Sequence, residues 1–266
     1  MRYDRVISAE FLRRPNRFIA YCSLEGREET VHVKNTGRCR ELLIPGAAVY
    51  LTAGANPARK TAWDLIAVEK LRGKPPGNPL LVNMDSQAPN QVLYEAMAGG
   101  FRLPGQPGPL TLLRREVAFG DSRFDLYAEA AQRDEAGAGA GLAAEESGDG
   151  GPEQEEPGRL WRAFIEVKGV TLEEKGICRF PDAPTERGTR HLRELVRAKA
   201  AGYAAYVVFI VQMGEMIYFT PHTERDPAFT RALREADAAG VTVLAYDCRV
   251  TPDSLALGRP VEIRLR

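Results

Sequence analysis

In the first third of the chain, apolar and polar residues alternate with a period of two in short runs. Phe18-Ile19-Ala20-Tyr21-Cys22-Ser23-Leu24 is followed by Glu25-Gly26-Arg27 and then by Glu29-Thr30-Val31-His32-Val33, which predicts a β-hairpin closed by a tight turn. Pro45-Gly46 launches a further strand at Ala47–Leu51, and Ala62–Glu69 supplies another. Residues 1–84 therefore read as a small all-β barrel of OB-like form. Gly73 to Pro79, with three prolines and two glycines, reads as a turn or linker.

The period changes after residue 85. Gln87 to Gly99 predicts a helix with Val92, Leu93 and Ala96 on one face and Glu95 beside that stripe. Strands are predicted at Thr111–Phe119 and Arg123–Glu129, joined by Gly120-Asp121-Ser122, and at Trp161–Val170. Thr189–Ala201 carries Leu192, Leu195 and Val196 at helical spacing and stops at Gly202, and Tyr203–Gln212 then reads as a buried strand. Asp226-Pro227 caps a second helix over Ala228–Ala239, which ends at Gly240 before a strand at Val241–Tyr246. The fold class is thus α/β in two domains, with residues 85–266 forming a mixed central sheet flanked by helices. Residues 131–159, rich in Gly, Ala and Glu, lack the large apolar side chains a core needs and read as a disordered insertion.

That insertion changes the meaning of the charge. The chain has 36 basic and 36 acidic side chains among 266 residues, yet eight of the acids lie between Asp134 and Glu156 with no Lys or Arg among them. Without them 36 basic groups face 28 acidic ones, so the remainder carries about +8, a balance that suits a polyanion and equally a well-solvated surface. Cys22, Cys39, Cys178 and Cys248 are scattered without C-x-x-C spacing, which argues for reduced, structural thiols. The longest near-apolar run, Tyr203–Met213, is too short to span a bilayer, and Met1–Arg5 lacks a signal-peptide core. The expectation is a cytoplasmic protein with no membrane partner.

The densest chemistry lies in Phe164-Ile165-Glu166-Val167-Lys168-Gly169-Val170-Thr171. Strand alternation sends Ile165 and Val167 to one face and puts Glu166 and Lys168 together on the other. An adjacent strand brings Asp125 beside Glu166, and Glu95 is the candidate acid on the preceding helix. Asp125, Glu166 and the Val167 backbone carbonyl form a ligand set of hard oxygens suited to Mg²⁺ or Mn²⁺, with Lys168 holding a water or a phosphate oxygen. The reaction class this implies is metal-assisted phosphodiester hydrolysis, with an ordinary surface ion pair as the plain alternative.

The order helix acid, Asp, Glu-x-Lys, helix, buried strand resembles the PD-(D/E)xK nuclease superfamily. A closer resemblance rests on Pro15-Asn16-Arg17-Phe18, Asn35-Thr36-Gly37-Arg38, Leu42-Leu43-Ile44-Pro45-Gly46, Ser122-Arg123-Phe124-Asp125, Glu166–Thr171, Phe180-Pro181-Asp182-Ala183-Pro184-Thr185-Glu186-Arg187-Gly188 and His191-Leu192-Arg193-Glu194-Leu195. From near Arg13 to about Val250 the chain is similar to the sugar fermentation stimulation protein A (SfsA) family. The resemblance implies an OB-like domain followed by a nuclease-like domain, DNA as the partner, and a link to regulation of sugar utilisation. It leaves open whether DNA is cut or only bound by a regulator that keeps the nuclease fold, and whether the protein is a homodimer.

In the barrel, Arg13, Arg14, Arg17 and Phe18 interleave basic and aromatic groups as a nucleic-acid-tracking strand does, and Asn35, Thr36 and Arg38 suit phosphate contact. Both sets are equally compatible with turn chemistry. His191 reads as a polar cap for Glu186, a phosphate contact or a catalytic group. Gln212 reads as an orienting group beside Lys168 or as a hydrogen-bonded structural residue.

Overall fold

The computed structural model describes residues 1–35, 37–54, 58–71, 79–131 and 160–266. The expected insertion, from residue 132 on, Thr36, and all of the Gly73–Pro79 linker except Pro79 lie outside the described residues.

The first domain is built from β1 (Val6–Arg13), β2 (Ile19–Leu24), β3 (Arg27–Val33), β4 (Ala48–Ala53), β5 (Trp63–Lys70) and β6 (Leu80–Asn83). Their order is β3-β2-β1-β4-β5-β6, and a parallel pairing of β3 with β5 closes the first five into a barrel. Closure removes the free edges of a five-stranded sheet, as the OB architecture requires. The hairpin of β2 and β3 turns at Glu25 and Gly26, both with positive φ. β1 escapes the alternation argument because its pattern of half-buried and exposed positions carries little contrast.

The second domain follows with α1 (Ala88–Ala98), β7 (Leu110–Phe119), β8 (Ser122–Ala131), β9 (Leu160–Val170), β10 (Leu172–Glu174), β11 (Ile177–Phe180), α2 (Glu186–Ala200), β12 (Ala204–Val211), β13 (Tyr218–Pro221), α3 (Pro227–Ala238), β14 (Thr242–Thr251), β15 (Ser254–Pro260) and β16 (Glu262–Ile263). Its central sheet runs β15-β14-β12-β9-β8-β7 and is mixed: β9, β12 and β14 are parallel, and the outer strands pair antiparallel. β12 is buried at seven of eight positions, as a parallel strand covered on both faces must be. A small sheet, β10-β11-β13-β16, was not legible in the sequence, because its strands are two to four residues long.

Both capped helices start where side-chain chemistry allows. Thr185 accepts the Gly188 N–H and starts α2 three residues earlier than the apolar spacing suggests, and Asp226 accepts the Phe229 N–H at 2.9 Å to start α3. α1 packs on one face of the central sheet with Ile165, Val167 and Leu126. α2 and α3 pack on the other face, where their core is continuous with the barrel interior. The domains are also tied by buried polar contacts: Gln212 Nε2 donates to Asn83 Oδ1 and Asp85 O, and Lys34 Nζ lies 2.5 Å from Asp85 Oδ2. All four cysteines are buried and free, and burial pushes each thiol up to about 12. Among the described residues, no helix is long and apolar enough to cross a membrane.

Candidate metal centre

The site lies at a fork between β8 and β9. Antiparallel pairing of these strands reaches Leu126 and Ile165, and beyond it the Val167 N–H is taken at 2.7 Å by the Asp125 carboxylate. A kink in β8 makes this geometry available. Phe124 belongs to the core beneath α2 while Leu126 belongs to the core beneath α1, so strict alternation breaks at Asp125. The facing strand is irregular at the same level, with Glu116 at φ +57° between Arg115 and Val117, the partners of Leu126 and Phe124. A left-handed non-glycine residue in a strand re-aims its neighbours, as bulges near functional sites do.

Glu166 is 1% exposed and Lys168 lies beside it, with Nζ 2.5 Å from Glu166 Oε1. The same oxygen also meets His191 Nδ1, which α2 delivers from the opposite side. Glu166 Oε2 is buried with no protein hydrogen-bond partner. Asp125 Oδ1 accepts from Asn90 Nδ2 at 2.7 Å, so both Asp125 oxygens are fixed while a lone pair on each stays available. Because the N–H and C=O of one strand residue point to the same side, the Val167 carbonyl also faces the fork.

The two carboxylates differ electrostatically. Burial, and then the neighbouring Glu166, push the Asp125 carboxyl up to about 6, against the Val167 N–H, Lys168 and Asn90. Burial also pushes Glu166 upward, but the His191 hydrogen bond and the Lys168 ammonium outweigh it and hold that acid below its ordinary value. A buried, unpartnered Oε2 on an ionised Glu166 beside an Asp that resists ionisation is a pair short of positive charge. That donor set fits a hard divalent cation. Among the described residues no three His, Cys, Asp or Glu groups converge as metal ligands, so the Val167 carbonyl and water would complete the coordination.

The other expected site residues divide between the fork and places away from it. Glu95 is exposed and forms an ion pair with the Met1 ammonium at 2.6 Å, and it is Asn90, one and a half turns earlier on α1, that touches Asp125. The contact expected of Glu95 is thus made by Asn90, which is half-buried on the sheet-facing side of α1 while Glu95 is exposed. His191 contacts Glu166 and not Glu186. Gln212 joins the domains: its backbone N–H donates to Val170 O at 2.9 Å and its side chain donates to Asn83 and Asp85.

In the barrel, Arg13 pairs bidentately with Glu28 and stacks over Tyr21 at 4.0 Å. Arg14 turns inward to the carbonyls of Asn16, Arg17, Asn35, Gly37 and Arg38, which makes it the clip of the Asn35–Arg38 loop and leaves no N–H for a phosphate. Arg17, Arg38 and Phe18 are exposed, Phe18 by 56%. Asn35 Oδ1 accepts the Gly37 N–H, and Thr36 lies outside the described residues.

These elements define a two-domain protein in which an OB barrel is packed against a mixed-sheet α/β domain with an Asp and a Glu-x-Lys at a strand fork. Two family models match the sequence: the SfsA N-terminal OB domain over residues 12–74, and the sugar fermentation stimulation protein RE domain over residues 153–254. A sugar fermentation stimulation protein homolog from Desulfitobacterium hafniense (strain Y51) is 47% identical over 265 residues, covering 100% of this chain and 99% of that one. One from Alkaliphilus oremlandii is 46% identical, with 100% of each chain covered. A solved structure, that of Pyrococcus furiosus SfsA in complex with Ca²⁺, superposes with a TM-score of 0.76 at 26% identity, over 99% of this chain and 98% of that one. The chain belongs to the SfsA family.

Proposed function

We propose that the protein binds DNA and hydrolyses its phosphodiester bonds with a divalent metal, Mg²⁺ or Mn²⁺, held by Asp125, Glu166 and the Val167 carbonyl. The observation that carries this reading is the pairing of a buried, unpartnered Glu166 Oε2 with an Asp125 carboxyl raised to about 6 at a fork where that carboxylate accepts the Val167 N–H at 2.7 Å. A site arranged for stability alone would satisfy that oxygen, because leaving a buried charged group short of partners costs about 1–3 kcal/mol or more. The Ca²⁺ complex of the P. furiosus relative supports the choice of a hard cation.

When bound, such an ion supplies charge stabilisation at the phosphate and lowers the pKa of a coordinated water. The chain's own groups do the remainder. Asp125 is fixed by two donors, so its oxygens are oriented before any ligand arrives. His191 holds Glu166 ionised, and Lys168, the cation nearest that carboxylate, is placed to exchange Glu166 for a phosphate oxygen or a water. The exposed Arg17, Phe18 and Arg38 on the barrel give a basic and aromatic surface for the DNA strand.

A second reading, DNA binding without hydrolysis, is favoured by the Lys168–Glu166 pair, which in its present arrangement occupies the ammonium that hydrolysis needs. One experiment separates them. The purified protein is incubated with single-stranded, duplex and branched DNA and Mg²⁺ or Mn²⁺, beside Asp125→Ala, Glu166→Ala and Lys168→Ala. Cleavage by the parent and loss in all three variants supports hydrolysis; cleavage that survives them sinks the assigned site, and binding without cleavage on every substrate favours the regulator.

A further inference from the structure

Beyond Lys168, Gly169 and Val170 end β9 and Thr171 follows at the junction of the two domains, where the three border a cavity of about 180 Å³. Asn35 and Gly37 of the barrel loop close one side, and Arg179 and Asp182 close another. At roughly 30 Å³ per water, this volume accepts a polar group of several heavy atoms. Its wall is crowded by design at Gly37, where an added Cβ would lie 2.6 Å from Asp182 Oδ2. That acid therefore faces the Gly37 backbone.

The decisive group is Arg179. Among the described residues its guanidinium has no ion pair or hydrogen bond, and its Nε is buried. A neighbouring nitrogen, His222 Nδ1, is likewise buried without a partner, and Arg225 adds a further positive charge there, its Nη1 donating to Asp182 O at 2.8 Å. A half-buried guanidinium with a second guanidinium nearby and a buried donor unspent is costly unless an acceptor completes it, and among the described residues the Asp182 carboxylate in the same wall makes no ion pair with Arg179. Asn35 contributes as well: its Oδ1 is spent on the Gly37 N–H, so its amino group is the end left for a ligand.

We infer that this inter-domain cavity is a binding site for a phosphate group, with Arg179 as its anchor and the Asn35 amide as a second donor. The inference rests on the nucleic-acid reading of the adjacent Glu166–Lys168 site, and deepens it. At about 3.3 Å per strand residue the cavity lies a few residues along β9 from Lys168, so a phosphate held there belongs to a nucleotide neighbouring the one at the metal. The phosphate is either a terminal monoester or an internal diester of the strand.

The test uses the full chain in EDTA, so that binding is read without cleavage. Fluorescence anisotropy compares one short single-stranded oligonucleotide carrying a 5′-phosphate, a 3′-phosphate or neither, and inorganic phosphate is titrated in parallel by calorimetry. A terminal-phosphate site gives about tenfold or greater preference for one phosphorylated end, lost in Arg179→Gln and kept in part by Arg179→Lys, since the contact is charge-assisted. An internal-diester site gives a similar loss for all three oligonucleotides in Arg179→Gln. Equal affinities that Arg179→Gln and Arg179→Lys leave unchanged, with no phosphate heat that depends on Arg179, overturn the inference. Failure of hydrolysis with Mn²⁺ would not move these readouts, so the two readings fall separately.

Discussion

Asp125 and Val167 stand in for a missing pair of strand partners: the carboxylate of one accepts the backbone N–H of the other at 2.7 Å where β8 and β9 part. The sheet would normally satisfy that N–H with a main-chain carbonyl. Using a side chain instead lets the strands diverge without an unsatisfied donor, and places an acid within reach of Glu166. The same contact opposes, without cancelling, the burial that raises the Asp125 carboxyl.

Replacing Asp125 by Asn should therefore stabilise the metal-free protein at neutral pH while removing its response to metal. The folded-state carboxyl, at about 6, lies above its ordinary 3.8, so folding takes up a proton. The stability linked to that proton is fully present below about pH 3.8 and is lost as pH rises through about 6. At pH 7 the ionised Asp125 thus costs on the order of 1–3 kcal/mol. Asn90 can turn its amide to accept from the new Asn. Urea unfolding in EDTA should show Asp125→Asn as stable as the parent or more so, and Mn²⁺ should raise only the parent's midpoint. A lower midpoint for the variant in EDTA contradicts this account.

Cation affinity should follow the same proton. Deprotonated Asp125 is the form that binds, so the apparent affinity for Mn²⁺ should fall about tenfold per pH unit below about 6 and flatten above it. Isothermal titration across pH 5 to about 8 measures this, and in two buffers of different ionisation heat it reports proton release near pH 6. A flat profile through that range would assign binding to other groups.

His191 should matter to both stability and metal. Its Nδ1 meets the oxygen of Glu166 that Lys168 also contacts, deep in the core at 4% exposure. His191→Phe removes a partner from a buried carboxylate and should cost about 1–3 kcal/mol, while His191→Gln, which can still donate, should cost less. His191→Phe should weaken Mn²⁺ binding at pH 6, and more than His191→Gln does, because Glu166 then loses a hydrogen bond that keeps it ionised. Equal stability of the Phe variant and the parent would remove His191 from the site.

Sequence alternation suffices for the Glu166 and Lys168 side chains, because β9 is regular there and its neighbours are apolar. It suffices for the barrel hairpin and for α2 and α3 for the same reason: each element repeats its pattern over several periods. Asp125 could be matched as a residue type, but its rotation could not be read, since it depends on the left-handed Glu116 in the facing strand. Asn90 left no signal, as an amide near a helix start is usually turn chemistry. The contact between His191 and Glu166 joins residues 25 apart through the packing of α2 on the sheet, a tertiary relation that no local period encodes.

Glu95 and Asn90 offer a contrast within one helix. Glu95 contacts the chain's amino terminus and is 42% exposed at its side chain, a surface pair of the kind that contributes about 0–1 kcal/mol. Glu95→Ala should leave Mn²⁺ affinity within about twofold of the parent. Asn90→Ala should raise the Asp125 carboxyl further by removing a donor to it, and so weaken Mn²⁺ binding at pH 6 more than at pH 8. Titrations of the two variants at both pH values decide whether α1 serves the site through its amide or its acid.

Arg14 and Arg17, three residues apart in one basic run, should behave as opposites. The Arg14 guanidinium is directed at five backbone carbonyls, three of them in the Asn35–Arg38 loop, and burial lowers its pKa without a carboxylate to compensate. A lysine ammonium has three donors on a flexible stem and cannot reproduce a planar fork, so Arg14→Lys should destabilise the barrel by about 1–3 kcal/mol. Arg17 is exposed, and Arg17→Ala should leave the unfolding midpoint unchanged while lowering DNA affinity and reducing the salt slope by about 0.7–0.9. Urea unfolding and anisotropy in a salt series measure both. If Arg17→Ala binds DNA as the parent does at every salt concentration, the barrel run is turn chemistry throughout, and the DNA path must lie along the second domain instead.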